Sequence, residues 1–230
     1  MTLIAENLNH VRDRIAKVCV QMHRSPHELT LLAVSKTFGA DAVLQAYAAG
    51  QTAFGENYIQ EAVQKIHSLR HLPLQWHCIG PIQSNKSRLV AENFDWVHTI
   101  DRLKIAQRLS EQRPTDMQPL NVCIQVNADG GANKAGVAPQ DVLPLALVVA
   151  ALPHLRLRGL MSIPEPAADF AATLAVHQQV KSLFDSLNAQ GLALDTLSMG
   201  MTADLEAAIE AGSTMVRVGT AIFGGRSAVL

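Results

Sequence analysis

The stretch LLAVSKTFGADAVLQAYAAGQTAFGEN, residues 31–57, sets a pattern that the rest of the chain repeats. Two short runs rich in apolar residues, Leu31–Ser35 and Thr52–Phe54, are typical of buried strands. The segment between them, Ala40–Ala49, indicates a helix, and Gly50 stands where a glycine commonly ends one. This segment therefore predicts a strand, a helix and a second strand in succession.

The alternation of strand and helix continues towards the C-terminus. The predicted strands are Leu31–Ser35, Thr52–Phe54, Gln75–Ile79, Trp96–Ile100, Val122–Val126, Leu157–Ile163, Thr196–Ser198 and Met215–Val218. The predicted helices are Ala40–Ala49, Tyr58–Leu69, Asn85–Glu92, Arg102–Gln112, Pro139–Ala151, Ala167–Ala189 and Ala203–Ala211. Eight strands alternating with helices in 230 residues predict an α/β fold, a (β/α)8 TIM-type barrel. An open doubly wound sheet, which usually has fewer strands, is the alternative.

An additional N-terminal helix precedes the first strand. Apolar residues three or four positions apart form one stripe along it: Ile4, Leu8, Val11, Ile15, Val18 and Met22. The pattern stops near Ser25-Pro26, and we expect this helix to take the place of the one missing after the eighth strand. No low-complexity linker interrupts the pattern, so residues 1–230 are predicted to form a single domain.

The composition argues against several classes of protein. The formal net charge is −1 and long runs of like charge are absent, which disfavours nucleic-acid or membrane-surface partners. The longest apolar stretch, Val142–Leu152, is too short to span a bilayer, and Met1–His10 lacks the apolar segment of a signal peptide. The widely spaced Cys19, Cys78 and Cys123 favour a reducing cytoplasm over a disulfide framework. The histidines are scattered, so no metal site is predicted.

Lys36 directly follows the apolar run Leu31–Ser35. In the predicted barrel it lies at the C-terminal ends of the strands, where such barrels carry their function. Low-dielectric walls there would disfavour the ammonium form and make the amine nucleophilic towards an aldehyde. A lysine whose stem packs while its head reaches water fits the same position. Position alone does not decide between these two interpretations.

The loops after the seventh and eighth strands predict an anion site. Residues 200–204 lead from a strand into a helix, so backbone N–H groups and the Thr202 hydroxyl are expected to point at the barrel mouth. Gly219-Thr220 follows the eighth strand, and barrels often bind phosphate at this pair of loops. Arg217 lies close enough to reach a ring nitrogen or a carboxylate. Ordinary helix capping with turn glycines is the alternative, and Asp204 adds a negative charge near the proposed anion.

Several segments together resemble one family, the YggS/PROSC family of pyridoxal phosphate homeostasis proteins, which share the barrel of the alanine racemase N-terminal domain. The resemblance covers nearly the whole chain. The segments that carry it are LLAVSKT (31–37), FGENYIQE (54–61), WHCIGPIQSNK (76–86), HTIDR (98–102), LRGLMSIP (157–164) and LSMGMTADLEAAIEAGSTMVRVGTAIFG (197–224).

The resemblance implies that the cofactor is pyridoxal 5′-phosphate (PLP), bound as a covalent aldimine on Lys36. It implies that Arg217 faces the pyridine nitrogen and that Asn57 lines the cofactor face. Lys134, in the loop after the fifth strand, is implied as an accessory residue that contacts or exchanges cofactor. Thr202, Gly219 and Thr220 are implied to hold the phosphate, and Met201 is implied as a further cofactor-binding residue.

Three places depart from the family pattern, and one of them, Gly130-Gly131, makes the loop after the fifth strand unusually rich in glycine. Phe38 stands where close relatives often carry lysine, so the role of a second lysine beside Lys36 is in doubt here. Thr202 replaces the more usual serine and keeps the hydroxyl group.

Binding is predicted in preference to turnover, so we assign no catalytic residues. An arginine at the pyridine nitrogen is charged and only donates hydrogen bonds, which leaves an unprotonated ring that is a weaker electron sink. The resembling racemase takes its second acid/base group from another domain and a partner subunit, and only six residues follow Gly224. We expect a monomeric, cytoplasmic protein of cofactor homeostasis, with PLP and apo forms of PLP-dependent enzymes as partners. The alternatives are an amino-acid racemase with a minimal site and a barrel that binds another phosphorylated metabolite.

Overall fold

The strands form a closed barrel in the computed structural model, which describes residues 2–130 and 135–225. All neighbouring strands are parallel and follow one another in chain order. They are β1 (Thr30–Val34), β2 (Ala53–Glu56), β3 (Gln75–Cys78), β4 (Trp96–Ile100), β5 (Leu120–Val126), β6 (Leu155–Ser162), β7 (Thr196–Ser198) and β8 (Met215–Val218). Because β1 pairs with both β2 and β8, the sheet closes on itself. This closure confirms the TIM-type barrel and excludes the open doubly wound sheet.

The predicted strands all occur, with some of their ends shifted. β5 and β6 each begin two residues earlier than predicted, because Leu120 and Leu155 already pair with each other. Their register then shifts: Val122 lies opposite Leu157, whereas Cys123 lies opposite Gly159. One extra residue of β6 therefore makes a local irregularity in the barrel wall.

Helices cover the outside of the barrel. They are α1 (Leu3–Gln21), α2 (Ala40–Ala48), α3 (Ile59–Ser68), α4 (Ser87–Asn93), α5 (Leu103–Gln112), α6 (Val142–Ala150), α7 (Phe170–Ala189), α8 (Leu205–Glu210) and α9 (Thr220–Phe223). Short 3-10 turns occupy Pro26–Glu28, Ser84–Lys86 and Pro139–Asp141.

Most predicted helices begin one to three residues later in the structure; α7, for example, begins at Phe170 rather than Ala167. α8 begins at Leu205 rather than Ala203, because the Asp204 carboxylate binds the backbone N–H of Met201 and closes a turn first. α9 follows β8, where the sequence predicts no helix. Its single turn forms as Ile222 and Phe223 donate their N–H groups to the carbonyl of Gly219 and bury their side chains.

The N-terminal helix α1 packs beside this short α9. The central residues of its predicted stripe are buried, and Asn7 Nδ2 donates to the Ile222 carbonyl at 2.9 Å. Arg14 forms an ion pair with Glu206 of α8, with Nη2 2.6 Å from Oε2. α1 therefore does take the outer position that a full-length helix after β8 would occupy.

Apolar residues form two layers, one inside the barrel and a larger one between strands and helices. The inner layer consists of Leu32, Val34, Ala53, Ile79, Trp96, Cys123, Met161 and Met215. No helix in the described part of the chain has the length and apolar character required to cross a membrane.

Candidate functional site

A cavity of about 550 Å³ opens at the C-terminal ends of the strands. It brings together residues that are far apart in the sequence. Its lining includes Lys36, Asn57, Met201, Thr202, Arg217, Gly219 and Thr220, which are all of the predicted site residues except one. The remaining one, Lys134, lies outside the described residues.

Lys36 enters the cavity from the segment that follows β1. The preceding residue continues the strand pairing, since Ser35 N donates to the Gly55 carbonyl at 3.0 Å. Lys36 itself is exposed, so the expectation that barrel walls desolvate its amine is wrong. The chain turns outward at Thr37, whose φ of 68° is left-handed, and the side chain of Lys36 meets solvent at the open mouth.

A buried ion pair lies beneath this segment. Lys65 Nζ of α3 is 2.6 Å from Glu56 Oε1 at the end of β2, and their side chains are only 4% and 0% exposed. Burial raises the pKa of Glu56, while Lys65 and the Ser35 hydroxyl partly oppose that change. Glu61, one turn before Lys65, accepts a further contact at 3.4 Å. We call Glu56, Glu61 and Lys65 the ion triad.

The ion triad holds both neighbours of Lys36. Lys65 Nζ donates to the Ser35 carbonyl at 3.0 Å, and the Ser35 hydroxyl donates to Glu56 Oε1 at 2.5 Å. On the other side, Thr37 N donates to Glu61 Oε1 at 2.9 Å. These contacts support a backbone conformation at Thr37 that a β-branched residue rarely adopts. The triad therefore fixes the segment that carries Lys36.

Arg217 of β8 forms part of the cavity lining and is only 3% exposed. Its Nη1 donates to Ser198 Oγ at 2.7 Å and its Nη2 donates to the Ser162 carbonyl at 2.8 Å. Burial lowers the pKa of Arg217 to about 10, so the side chain keeps its charge at neutral pH. These two bonds use two of the five guanidinium N–H groups. The others are available to a ligand.

The loop between β7 and α8 is fixed by a second buried pair. Asp204 Oδ2 lies 2.9 Å from His177 Nε2 of α7, and Asp204 Oδ1 accepts from Met201 N at 2.7 Å. Burial raises the pKa of Asp204, but these hydrogen bonds outweigh it and hold the pKa below its usual value. The N–H of Met201 is thus occupied rather than free, which corrects the expectation for this loop. Thr202, two residues before Asp204, does line the cavity.

Replacing His177 with leucine should lower the free energy of unfolding by about 2 kcal/mol, because the buried Asp204 carboxylate loses a hydrogen bond. Urea unfolding at neutral pH measures the change. The control is His67→Leu, since His67 is exposed and bonds to the side chain of Asn93 on the surface. Equal losses in the two variants would show that the pair does not stabilise the loop.

The segment after β8 approaches the end of β1 closely. A Cβ atom on Gly219 would lie 3.2 Å from the Val34 carbonyl oxygen, so glycine permits this approach. Beside it, the ring of Phe38 stacks on Phe223 of α9, with centroids 5.2 Å apart. Phe38 therefore lines the cavity with its ring packed against Phe223.

Asn57 lies on the other side of the cavity, after β2. Its Oδ1 is buried, and no hydrogen-bond donor in the described part of the chain reaches it. An unpaired buried acceptor is costly, so a ligand donor or a water molecule at this point would be stabilising.

Sequence reasoning missed the ion triad, His177 and Ser198. Glu61 and Lys65 have the i, i+4 spacing of an ordinary surface ion pair, and His177 lies 27 residues from its partner.

Residues 6–227 match a family model described as Alanine racemase, N-terminal domain.

Curated relatives are similar over almost the full length of the chain. A protein of Vibrio alginolyticus is 56% identical over 98% of this chain and 99% of its own. One of Pseudomonas aeruginosa is 58% identical over 98% of this chain and 97% of its own. Both carry the name Pyridoxal phosphate homeostasis protein.

Solved structures agree with the fold. PipY of Synechococcus elongatus with PLP bound is 37% identical, with a TM-score of 0.84 over 96% of this chain and 100% of that one. An alanine racemase of Clostridium difficile is 16% identical, with a TM-score of 0.75 over 98% of this chain and 57% of that one. The latter likeness concerns the barrel alone.

Proposed function

Since the chain belongs to the family of pyridoxal phosphate homeostasis proteins, built on the N-terminal domain of alanine racemase, we propose that it binds pyridoxal 5′-phosphate and serves in the homeostasis of that cofactor. Its action would be to carry and buffer the cofactor inside the cell and to deliver it to other proteins. Effects on amino-acid and keto-acid metabolism would follow indirectly, through the enzymes that use the cofactor.

The observation that carries this proposal is the convergence of Lys36 and Arg217 on one cavity. A primary amine and a buried guanidinium suit the aldehyde and the ring nitrogen of the same small molecule. Asn57 adds a buried acceptor without a partner. Thr202, Gly219 and Thr220 line the same cavity, and their hydroxyl and backbone groups suit a phosphate. The residues present therefore fit the cofactor.

We propose that Lys36 holds the cofactor as a covalent aldimine. The amine adds to the aldehyde carbon, and water leaves as the C=N bond forms. The exposure of Lys36 allows water to return and release the cofactor. Thr202 from one loop, with Gly219 and Thr220 from the next, would hold the phosphate, and Met201 would line the cofactor site. An accessory role for Lys134 rests on the family resemblance.

The charge of Arg217 favours binding over turnover. A guanidinium only donates hydrogen bonds, so the ring nitrogen that it meets stays unprotonated and withdraws electrons weakly. Among the cavity-lining residues that the structure describes, Lys36 and Arg217 are the two that carry an ionisable side chain. Racemisation needs a second proton donor on the opposite face of the substrate. We therefore propose a carrier without efficient catalysis.

We further propose that residues 1–230 act as a single domain and as a monomer in the cytoplasm, with apo forms of PLP-dependent enzymes as recipients. The free, buried state of Cys19, Cys78 and Cys123 supports a reducing compartment.

The test is a peptide map after borohydride reduction of protein incubated with PLP. We expect one pyridoxyl adduct, on Lys36, and loss of the imine absorbance in Lys36→Ala. The control Lys104→Ala removes an exposed lysine of α5 and should keep both signals. An adduct on another lysine, or none, overturns the proposal.

A second measurement separates carriage from catalysis. Pure protein incubated with single enantiomers of amino acids should leave them unchanged. Sustained turnover at about 1 s⁻¹ or faster, lost in Lys36→Ala, would establish a racemase instead.

A further inference from the structure

A chain of hydrogen bonds runs through the barrel from the cavity to the opposite end. Arg217 Nη1 is 2.7 Å from Ser198 Oγ, which is 2.7 Å from His98 Nδ1. His98 Nε2 is 2.9 Å from His77 Nδ1, and His77 Nε2 is 3.2 Å from Gln75 Oε1. Ser198, His98 and His77 are fully buried, whereas Gln75 is exposed at the start of β3. We call these five residues the interior chain.

The guanidinium fixes the direction of every bond in the interior chain. Arg217 only donates, so Ser198 Oγ accepts from it and has its own proton to give. His98 Nδ1 accepts a hydrogen bond from this hydroxyl group, so Nδ1 itself carries no proton. A neutral imidazole then carries its proton on Nε2, and this N–H donates to His77 Nδ1. By the same reasoning, His77 donates from Nε2 to Gln75.

The reverse direction is unfavourable for two reasons. If His98 Nδ1 carried the proton, Ser198 Oγ would accept from both sides and its own hydroxyl hydrogen would lose the His98 acceptor. The imidazole N–H would also point the positive end of its dipole at the Arg217 cation. In a buried site, where the local dielectric is low, that repulsion is poorly screened.

Both imidazoles are held in their neutral form. Burial lowers the pKa of His77 to about 3, and burial together with the nearby His77 and Arg217 holds the pKa of His98 well below its ordinary value. The ring of Trp96 stacks on His77 with centroids 5.2 Å apart and an angle of 9° between the planes. The stacking fixes the plane of the His77 ring.

The Asp204 charge favours the Arg217 cation, but its hydrogen bonds go to His177 and Met201 N rather than to the guanidinium. We infer that Ser198, His98 and His77 are positioning residues for Arg217: their aligned dipoles stabilise its buried charge and hold one N–H group of Nη1 away from the cavity. Because the chain ends at a group that cannot accept a proton, it does not conduct protons to the cavity. The tautomers follow from the contacts alone, whereas an effect on the cofactor rests on the proposed function.

The tautomers are measured without cofactor, by NMR of protein labelled with ¹⁵N in the histidine rings. At neutral pH both His77 and His98 should show a protonated Nε2 and an unprotonated Nδ1. Assignment uses His77→Phe and His98→Phe, each of which removes one set of signals. A protonated Nδ1 or an imidazolium at His98 overturns the inference.

The effect on the cofactor is measured with Ser198→Ala. It removes the acceptor of Arg217 Nη1 and should weaken the affinity for PLP about tenfold, the scale of one hydrogen bond to a charged group. The absorbance maximum of the bound cofactor should also shift. The control Ser87→Ala makes the same change at another fully buried serine, which bonds to Ser84 and Gln112.

Unchanged affinity and absorbance in Ser198→Ala would overturn the positioning role. A purely structural role would lower the free energy of unfolding in both serine variants and leave the absorbance maximum alone. If the parent protein itself forms no adduct on Lys36, the proposed function fails, and the NMR measurement still decides the direction of the interior chain.

Discussion

Lys65→Met should lower the free energy of unfolding by about 3–5 kcal/mol, because it leaves the fully buried Glu56 without its partner. Methionine keeps the length of the side chain, so lost charge rather than lost volume is tested. The same change should disorder the Lys36 segment, since Lys65 also holds the Ser35 carbonyl. Urea unfolding measures the first effect, and the yield of borohydride-trapped adduct measures the second.

The pH dependence of this variant has a definite sign. Burial already raises the pKa of Glu56, and removal of the opposing Lys65 raises it further. A carboxyl group whose pKa is higher in the folded state binds a proton on folding. The contribution of Glu56 to the stability of the variant is therefore greatest at low pH and falls as pH rises from the ordinary glutamate pKa through the higher folded value. Its deficit relative to the parent should shrink on acidification over this range.

Two controls identify the cause. Lys181→Met removes the cation of an i, i+4 pair with Asp185 on the surface and should cost about 0.5 kcal/mol. The double variant Lys65→Met with Glu56→Gln removes both buried charges and should recover part of the loss. A loss in Lys65→Met as small as in Lys181→Met would contradict the importance of the buried pair.

Gly159→Ala should destabilise the barrel by more than about 4 kcal/mol or prevent folding. A Cβ atom on Gly159 would lie 1.7 Å from the Thr196 carbonyl oxygen and 2.7 Å from its carbon. Both belong to the backbone of β7, so no side-chain rotation relieves the overlap. The position also lies at the register shift between β5 and β6, where the pairing is already irregular. Thermal unfolding followed by circular dichroism measures the effect.

Gly39→Ala is the matched control for this prediction. Nothing lies within 4 Å of the added Cβ atom, and Gly39 has a φ of −73°, which alanine adopts readily. As the residue before α2 it should change stability by no more than about 1 kcal/mol. Comparable stability of Gly159→Ala and the parent would show that β6 and β7 can separate at no cost.

The barrel could be predicted from the sequence because its signal is local and repeated. Each strand is a short apolar run, and each helix follows within a few residues, as in the segment 31–57. The positions of Lys36 and Gly219 follow from the same reasoning, since residues after parallel strands collect at one end. Two features could not be predicted from this local pattern. The exposure of Lys36 depends on the left-handed turn at Thr37, and the late start of α8 depends on the Asp204 carboxylate.

The contacts that support the site were not predictable in the same way. In the sequence Lys65 has the pattern of a surface residue. It is buried because α3 packs over the ends of β1 and β2. The interior chain joins β8, β7, β4 and β3, so its contacts depend on the register of the whole barrel. Buried polar residues carry no periodic signal, and their partners lie as far as 100 residues apart.

The attachment of α1 has a consequence for regulation from a distance. Asn7 forms a hydrogen bond with α9, and Arg14 forms an ion pair with α8. These two helices directly follow the proposed phosphate loops. If occupancy of the mouth strengthens the adhesion of the N-terminal helix, that adhesion must strengthen ligand binding by the same amount. A partner that detached α1 from the barrel would in that case weaken retention of the ligand without contacting the ligand itself.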